Sequence, residues 1–457
     1  MFYDLIVRGN LVLEDKVVYG EVGIKDEAIH RITESRTLRG ARTLDFEECF
    51  VFPGMIDAHV HCFSNPLEGF VTTSSSAAAG GITTLLDMPY DLPAPISSAE
   101  LFKRKVDRLK REAIVDIGLW ATIAKTEGTE QIIPLAEAGA MAFKLSTFET
   151  DPFRFPEIPD HEIIKAMELI RDTGLRVAFH AENNELIKSL TKQYISAGRL
   201  YPRAHMETRP PVTETSAVLK VLEFAYWTGV KVHIVHVSHP RTIQLIQWYK
   251  EGQVDVTSET CYPYLLMNVS ALEKFGPVAK NNPPLRLAAD AAKLWELQRQ
   301  GSIDIITSDH APWGADRKEA GEHNIFLAAA GVPGVEIMIP LMFDHAVMQE
   351  GVPPEVFAKW MSQYPAEVFG IPRKGKISPG YDADFTVIDP LQSWTIDQTK
   401  LRSHSKLSPF HGHEVQGKIK HTIVRGKSVY DGNQIVAQPG SGQFIAGSAY
   451  KREVVSS

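Results

Sequence analysis

Short apolar runs recur through the middle of the chain, separated by longer stretches whose apolar residues fall three and four apart. The runs are Val51–His61, Thr83–Asp87, Asp116–Thr122, Met141–Ser146, Arg176–His180, Lys231–His236, Val254–Glu259 and Ile303–Asp309. Between them lie amphipathic stretches such as SAELFKRKVDRLKREA, HEIIKAMELIRDTG and ETSAVLKVLEFAYWTG. Buried strands alternating with helical periodicity predict βα units and a parallel sheet. Eight such units over residues 51–365 predict an α/β fold, a (β/α)8 TIM-type barrel, whose active-site groups sit at the C-terminal strand ends.

The flanking segments read differently. Residues 1–50 hold the β-like runs DLIVRGNLVL, VYGEVGIKD and AIHRIT, with turn residues between them. Residues 366–457 offer matching material in DADFTVIDP, GKIKHTIVRGKSVYDG and NQIVAQP. Neither group buries a core alone, so the two ends are expected to assemble one small β-sandwich domain.

Composition narrows the function classes. The 457 residues are 44% hydrophobic and 23% charged, ordinary for a globular protein, and the formal net charge is -8. That charge leaves no global basic field for nucleic acid or an anionic membrane, and no apolar run approaches the roughly 18 residues of a membrane span. Cys49, Cys62 and Cys261 are too few for a disulfide framework and lack C-x-x-C spacing, which fits a reduced cytoplasmic protein. The start MFYDLIVRGN carries Asp4 and Arg8 where a signal peptide needs an apolar core, so a soluble intracellular protein is expected.

Candidate chemistry collects at the strand ends. Val51–His61 ends in His59 and His61, and residues two apart on a strand share a face, here together with Asp57. Lys144 lies near the end of the fourth run, while His180 ends the fifth, His236 the sixth and Asp309 the eighth. Imidazole and carboxylate suit zinc and similar divalent ions. Each residue has a plainer alternative: His180 and His236 as hydrogen-bonded core histidines, Asp309 as a helix cap. Lys144, in MAFKLS, is the oddest, because an ammonium in an apolar strand is costly unless paired or altered. The joint pattern on five strand ends favours a site.

The chain resembles the cyclic amidohydrolases: allantoinases, hydantoinases, dihydropyrimidinases and dihydroorotases. The likeness runs from FPGMIDAHVH through GGITTLLDMP, AFKLS, FHAEN, HIVHVS, SETC, NNPPLR and TSDHAP to KGKISPGYDADFTVID. It implies two divalent metal ions, zinc with manganese or cobalt as alternatives. His59 and His61 would bind one ion, a carbamylated Lys144 would bridge both, His180 and His236 would bind the second, and Asp309 would bind the first and shuttle the proton. The implied reaction is hydrolytic ring opening of a cyclic amide or ureide, in a homo-oligomer, a tetramer by resemblance.

The ring is less sharply indicated. CFSNPLEGF and ETCYPYL lack an arginine and a histidine common in similar allantoinases, and the missing arginine argues against a dihydroorotase. No tyrosine follows Lys144, as hydantoinases usually have; Leu145, Ser146, Thr147 and Phe148 stand there. The texture, including HSKLSPFHG, is most similar to the allantoinase and L-hydantoinase branch. Asn282 and Ser146 are the expected substrate contacts. A metal-dependent deaminase, an isoaspartyl dipeptidase and a non-catalytic homologue are the rival readings. DPFRFPEIPD reads either as a loop over the site or as a plain crossover, KRKVDRLKR as a solvated helix face, and Gly80–Gly81 as a tight connection. His233 and His239 are expected in supporting roles.

Overall fold

Gly54 divides the first apolar run between two sheets. Thr43–Pro53 is a strand of the small sheet, and a separate strand, Met55–Val60, begins the barrel. The single strand expected over Val51–His61 is therefore two. A Cβ on Gly54 would fall 2.3 Å from Thr83 Oγ1 and 2.6 Å from Asp384 Cβ, so only glycine lets the two sheets meet this closely.

The computed structural model describes residues 1–451, so the end of the expected 366–457 segment lies outside the described residues. Eight parallel strands follow one another in chain order: Met55–Val60, Ile82–Asp87, Asp116–Ala121, Ala142–Ser146, Arg176–His180, Lys231–Ile234, Val256–Cys261 and Ile305–Thr307. The seam between first and last is closed by a parallel bridge, Val60 to His310, and by His61 N–H donating to the His310 carbonyl at 2.9 Å. The Asp57 carboxylate joins this seam, accepting from Ser308 N at 3.1 Å. It shares a face with the H-x-H pair by register but holds the barrel shut.

The terminal strands form one seven-stranded sheet, ordered Lys427–Tyr430, Glu414–Val424, Phe385–Thr395, Thr43–Pro53, Leu5–Val12, Val17–Lys25, Ala28–Thr33. Leu5, Val7, Val22, Val51, Phe385 and Ile423 pack into its own core, while Phe52, Ile388 and Ile419 face the barrel's apolar cluster. The stretch expected to complete this sheet also reaches the barrel, where Phe444–Ile445 pairs with Ile117–Gly118 of the third strand. NQIVAQP forms no strand; Ile435 makes an isolated bridge to Tyr430.

Side-chain caps start some of the helices. Ser98 caps Ala99–Glu112 and Asn183 caps Asn184–Ser196, each satisfying an otherwise unbonded backbone N–H. The KRKVDRLKR face is not wholly solvated: Lys105 is buried, with Asp87 at 2.6 Å and Asp91 at 2.8 Å. Gly80–Gly81 joins helix Gly69–Ala79 to the second barrel strand. No described helix is long and apolar enough to cross a membrane.

One ionic cluster ties the small sheet to the barrel. Lys374 Nζ lies 2.7 Å from Asp116 of the third barrel strand, 3.0 Å from Asp382 and 2.6 Å from Asp384, while Arg425 pairs with Asp116 from the other side. Burial alone would lower the Lys374 pKa, but the three carboxylates hold it above the ordinary lysine value. Replacing Lys374 by methionine removes the cation shared by three buried acids, leaving Asp384 without an ion pair among the described residues, and is expected to cost about 3–5 kcal/mol. Denaturant unfolding checks this; an unchanged midpoint would contradict it.

Candidate metal centre

The first, fourth and fifth barrel strands carry ligand-type side chains at or near their C-terminal ends, and the chain past the sixth and eighth strands adds two more. His236 and Asp309 each lie two residues beyond their strands and take left-handed backbone angles, φ 40° and 46°. Non-glycine residues there are strained, and such strain gathers where side chains must be aimed. The helix-cap alternative for Asp309 does not fit, because the next described helix begins at Ala315 with Gly314 before it.

These turns bring the candidates together. His59 Nε2 lies 3.3 Å, and His61 Nε2 3.4 Å, from Asp309 Oδ1. His180 Nδ1 is 2.9 Å from His236 Nε2, and the rings of His59 and His236 are 5.5 Å apart between centroids. Lys144 joins them in lining one cavity of about 350 Å³. Zinc bonds of about 2.0–2.1 Å in a tetrahedron space neighbouring donor atoms about 3.3 Å apart. His59, His61 and Asp309 thus fit one ion, and the His180–His236 pair fits the edge of a second. His236 Nδ1, buried without a hydrogen-bond partner, is a further atom the protein leaves unsatisfied.

Electrostatics agree with ligation. Burial pushes the His61 pKa down to about 4 and also lowers His180 and His236, favouring the neutral imidazole that binds metal. Lys144 is 1% exposed, and its amine has no ion pair or hydrogen-bond partner among the described residues. Burial moves its pKa down to about 8. A full ammonium is poorly served there.

Two glutamates orient the imidazoles, and neither was singled out from the sequence. Glu259, from the seventh strand, contacts His59 Nδ1, lies 3.3 Å from His233 Nε2 and accepts the His236 backbone N–H at 3.2 Å. Burial would raise its pKa, yet His59 and His233 hold it well below the carboxylate range. Glu182 meets His180 Nε2 at 2.9 Å and pairs with Arg209. The available signals were Glu182, two residues after His180 in FHAEN, and Glu259 closing the seventh apolar run in SETC. Such partners fix the ring and its tautomer, so Glu259→Gln is expected to weaken metal binding about 10–100-fold. Competition with a chelator measures it; unchanged affinity would contradict the role.

The remaining expectations divide. Asn282 lines the cavity, and its Oδ1 is buried without a partner. Ser146 does not reach the cavity: its hydroxyl donates to the Phe148 carbonyl at 2.6 Å. His233 supports Glu259, and His239 caps helix Pro240–Glu251. DPFRFPEIPD is docked against the site, with Phe155 stacked on Tyr90 at 3.6 Å and Arg154 in the cavity wall.

Comparison with known proteins agrees with this geometry. A sequence model of the amidohydrolase family matches residues 50–429. An allantoinase of Rubrobacter xylanophilus is 34% identical over 457 residues, covering 99% of each chain. An allantoinase of Bacillus velezensis is 33% identical over 464 residues, covering 100% of each. Among solved structures, the L-hydantoinase from Arthrobacter aurescens superposes with a TM-score of 0.94 at 31% identity, covering 97% of this chain and 100% of that one. A family match across most of its length, with full-length relatives on the same fold, makes this chain a member of the amidohydrolase family.

Proposed function

We propose that this chain is a hydrolase that opens a cyclic amide or ureide of the allantoin type, with a hydantoin or other cyclic imide as the alternative ring. The observation that carries the reading is the convergence of His59, His61, Lys144, His180, His236 and Asp309 on one cavity, with His59, His61 and Asp309, and the His180–His236 pair, at metal-ligand spacing. His59, His61 and Asp309 would hold one divalent ion, zinc by preference over manganese or cobalt, and His180 and His236 the second. Lys144, carrying a carbamate on Nζ, would serve both as an anionic ligand, which accounts for a buried amine without a partner. Bound there, such ions supply Lewis acidity, making water a nucleophile near neutral pH and polarising a carbonyl.

The chain's own groups do the rest. Asn282 Oδ1 is free to accept a ring N–H and orient the ring. Phe148, Phe155 and Trp313 in the wall limit water around the reacting bond. Asp309 takes the proton of the attacking water and delivers it to the leaving ring nitrogen. The product is a ring-opened carbamoyl or amide acid.

Two accompanying readings follow. Cys49, Cys62 and Cys261 are all buried and unpaired, which supports a reducing, cytoplasmic setting. Exposed Tyr226, Trp227 and Trp248, on helices Pro211–Thr228 and Pro240–Glu251, offer an apolar face for a homotetramer. Sedimentation tests the assembly, and a monomer at working concentration would contradict it.

The function itself is tested by a ring-opening screen of allantoin, hydantoins and cyclic imides with zinc-, manganese- and cobalt-loaded protein. Turnover of at least one ring is expected; none with any metal would overturn the reading.

A further inference from the structure

The cavity holds two guanidinium groups that the proposed reaction does not use. Arg154, in the loop after the fourth strand, is only 8% exposed, yet its side chain makes one hydrogen bond, from Nη1 to the Tyr90 carbonyl at 2.7 Å. No carboxylate lies within ion-pair distance of it among the described residues. A guanidinium carries five N–H donors, so most of its donor capacity remains open in the cavity wall. Arg317, on helix Ala315–Glu319, is likewise without an ion pair among the described residues and lines the same cavity.

Both groups rest on one indole. The Arg317 guanidinium carbon is 4.9 Å, and that of Arg154 5.5 Å, from the centroid of the Trp313 ring. Trp313 is itself fixed by Nε1 donating to the Ala330 carbonyl at 2.7 Å. Arg154 is tied to the candidate metal centre through Tyr90, whose hydroxyl donates to the Lys144 carbonyl at 3.1 Å and whose ring stacks on Phe155. Phe155 in turn packs edge-on against His180, with 5.5 Å between centroids.

The nearby charges are already engaged. Glu149 is taken by Lys125 and Lys188 at 2.5 and 3.1 Å. Asp151 Oδ1 accepts the backbone N–H groups of Phe153 and Arg154 at 3.0 and 2.7 Å, and its carboxylate attracts both guanidinium groups through space without forming an ion pair with either. Arg209 is paired with Glu182. Two cations therefore share a cavity wall without an ion-pair partner among the described residues, and for the buried Arg154 a charge left in that state is costly. Planar guanidinium forks match carboxylates with two parallel hydrogen bonds, and an indole beneath them keeps the forks in place.

We propose that Arg154 and Arg317 form an anion subsite, and that the ring this protein opens carries a carboxylate-bearing substituent. The inference rests on the cyclic amide hydrolase reading above. It adds that the exocyclic arm of the substrate is acidic and points away from the metal centre toward Trp313.

The test compares two ring substrates of equal size: a hydantoin with a propionate arm on its ring carbon, and the same hydantoin with a propionamide arm. The charge-assisted contacts are expected to give wild-type protein about a 10–100-fold preference in kcat/KM for the carboxylate. Arg154→Met should erase that ratio, Arg154→Lys should keep part of it, and Arg317→Met should reduce it. The ratio is indifferent to general damage, and Arg317, being exposed, is replaceable without threat to folding. Equal turnover of both rings would overturn the subsite and leave the hydrolase reading intact. Should neither ring open, binding of the free propionate-armed hydantoin is measured by calorimetry on wild type and Arg154→Met. Binding lost in the variant keeps the subsite while the reaction reading fails; binding equal in both overturns the subsite.

Discussion

Replacing Lys144 by alanine is expected to abolish ring opening and to cost the protein bound metal. Lys144 is the one residue among the cavity's six ligand candidates whose ordinary form, an ammonium, repels cations. It lines the same cavity as the His59–His61–Asp309 group and the His180–His236 pair. Its amine is buried and unpartnered among the described residues, so an electrostatically satisfied ammonium does not explain it. A carbamate on Nζ converts the same side chain into an acceptor-only anion. Loss of a Lewis-acid site removes several kcal/mol of transition-state stabilisation, more than about a thousandfold in rate. Metal analysis and turnover are measured together, with and without added short carboxylic acids, which should restore part of the activity by standing in for the carbamate. A Lys144→Ala protein that keeps its full metal content and turns over at the wild-type rate would refute this assignment.

The second large effect is expected at Asp309, where it separates binding from chemistry. Asparagine keeps an oxygen for the metal but cannot take up and release a proton at neutral pH. General acid–base catalysis is typically worth about a hundred- to ten-thousandfold, so Asp309→Asn should lower kcat by that order and change KM little. Steady-state kinetics with metal content checked alongside makes the distinction. A variant with full metal content and near-wild-type kcat would show that the proton travels by another group. The same substitution at a mere helix cap would be nearly silent.

Much of this site was legible because barrel chemistry is written at strand ends. Parallel strands buried on both faces read as apolar runs, and a polar residue closing such a run stands out. His59, His61, Lys144, His180, His236 and Asp309 were found that way, and all six line one cavity. Periodicity did not reveal that Gly54 ends one sheet and starts another, because both strands continue the same apolar run. Ser146 was placed near the substrate by its position after Lys144, and it does share that strand face, but its hydroxyl is spent on the Phe148 carbonyl in a local turn and does not line the cavity. Glu259 and Glu182 escaped notice since their work is to contact histidines far away in sequence or on a neighbouring turn. Lys105 looked like one more cation on a solvated face, and only the fold brings Asp87 and Asp91 to it. Arg154 lay in a segment recognised as a possible cover for the site, but what distinguishes it, a buried guanidinium short of acceptors, exists only in three dimensions.

The central claim is that these six residues hold two ions that together make the protein a ring hydrolase. It is tested most directly by stripping the protein of metal and titrating zinc back while following ring opening of the best substrate from the screen. The account predicts that activity climbs with added zinc and levels off at about two equivalents per chain, with Lys144→Ala failing to reach that plateau. Full activity in the stripped protein, or a plateau at a single equivalent, would contradict it.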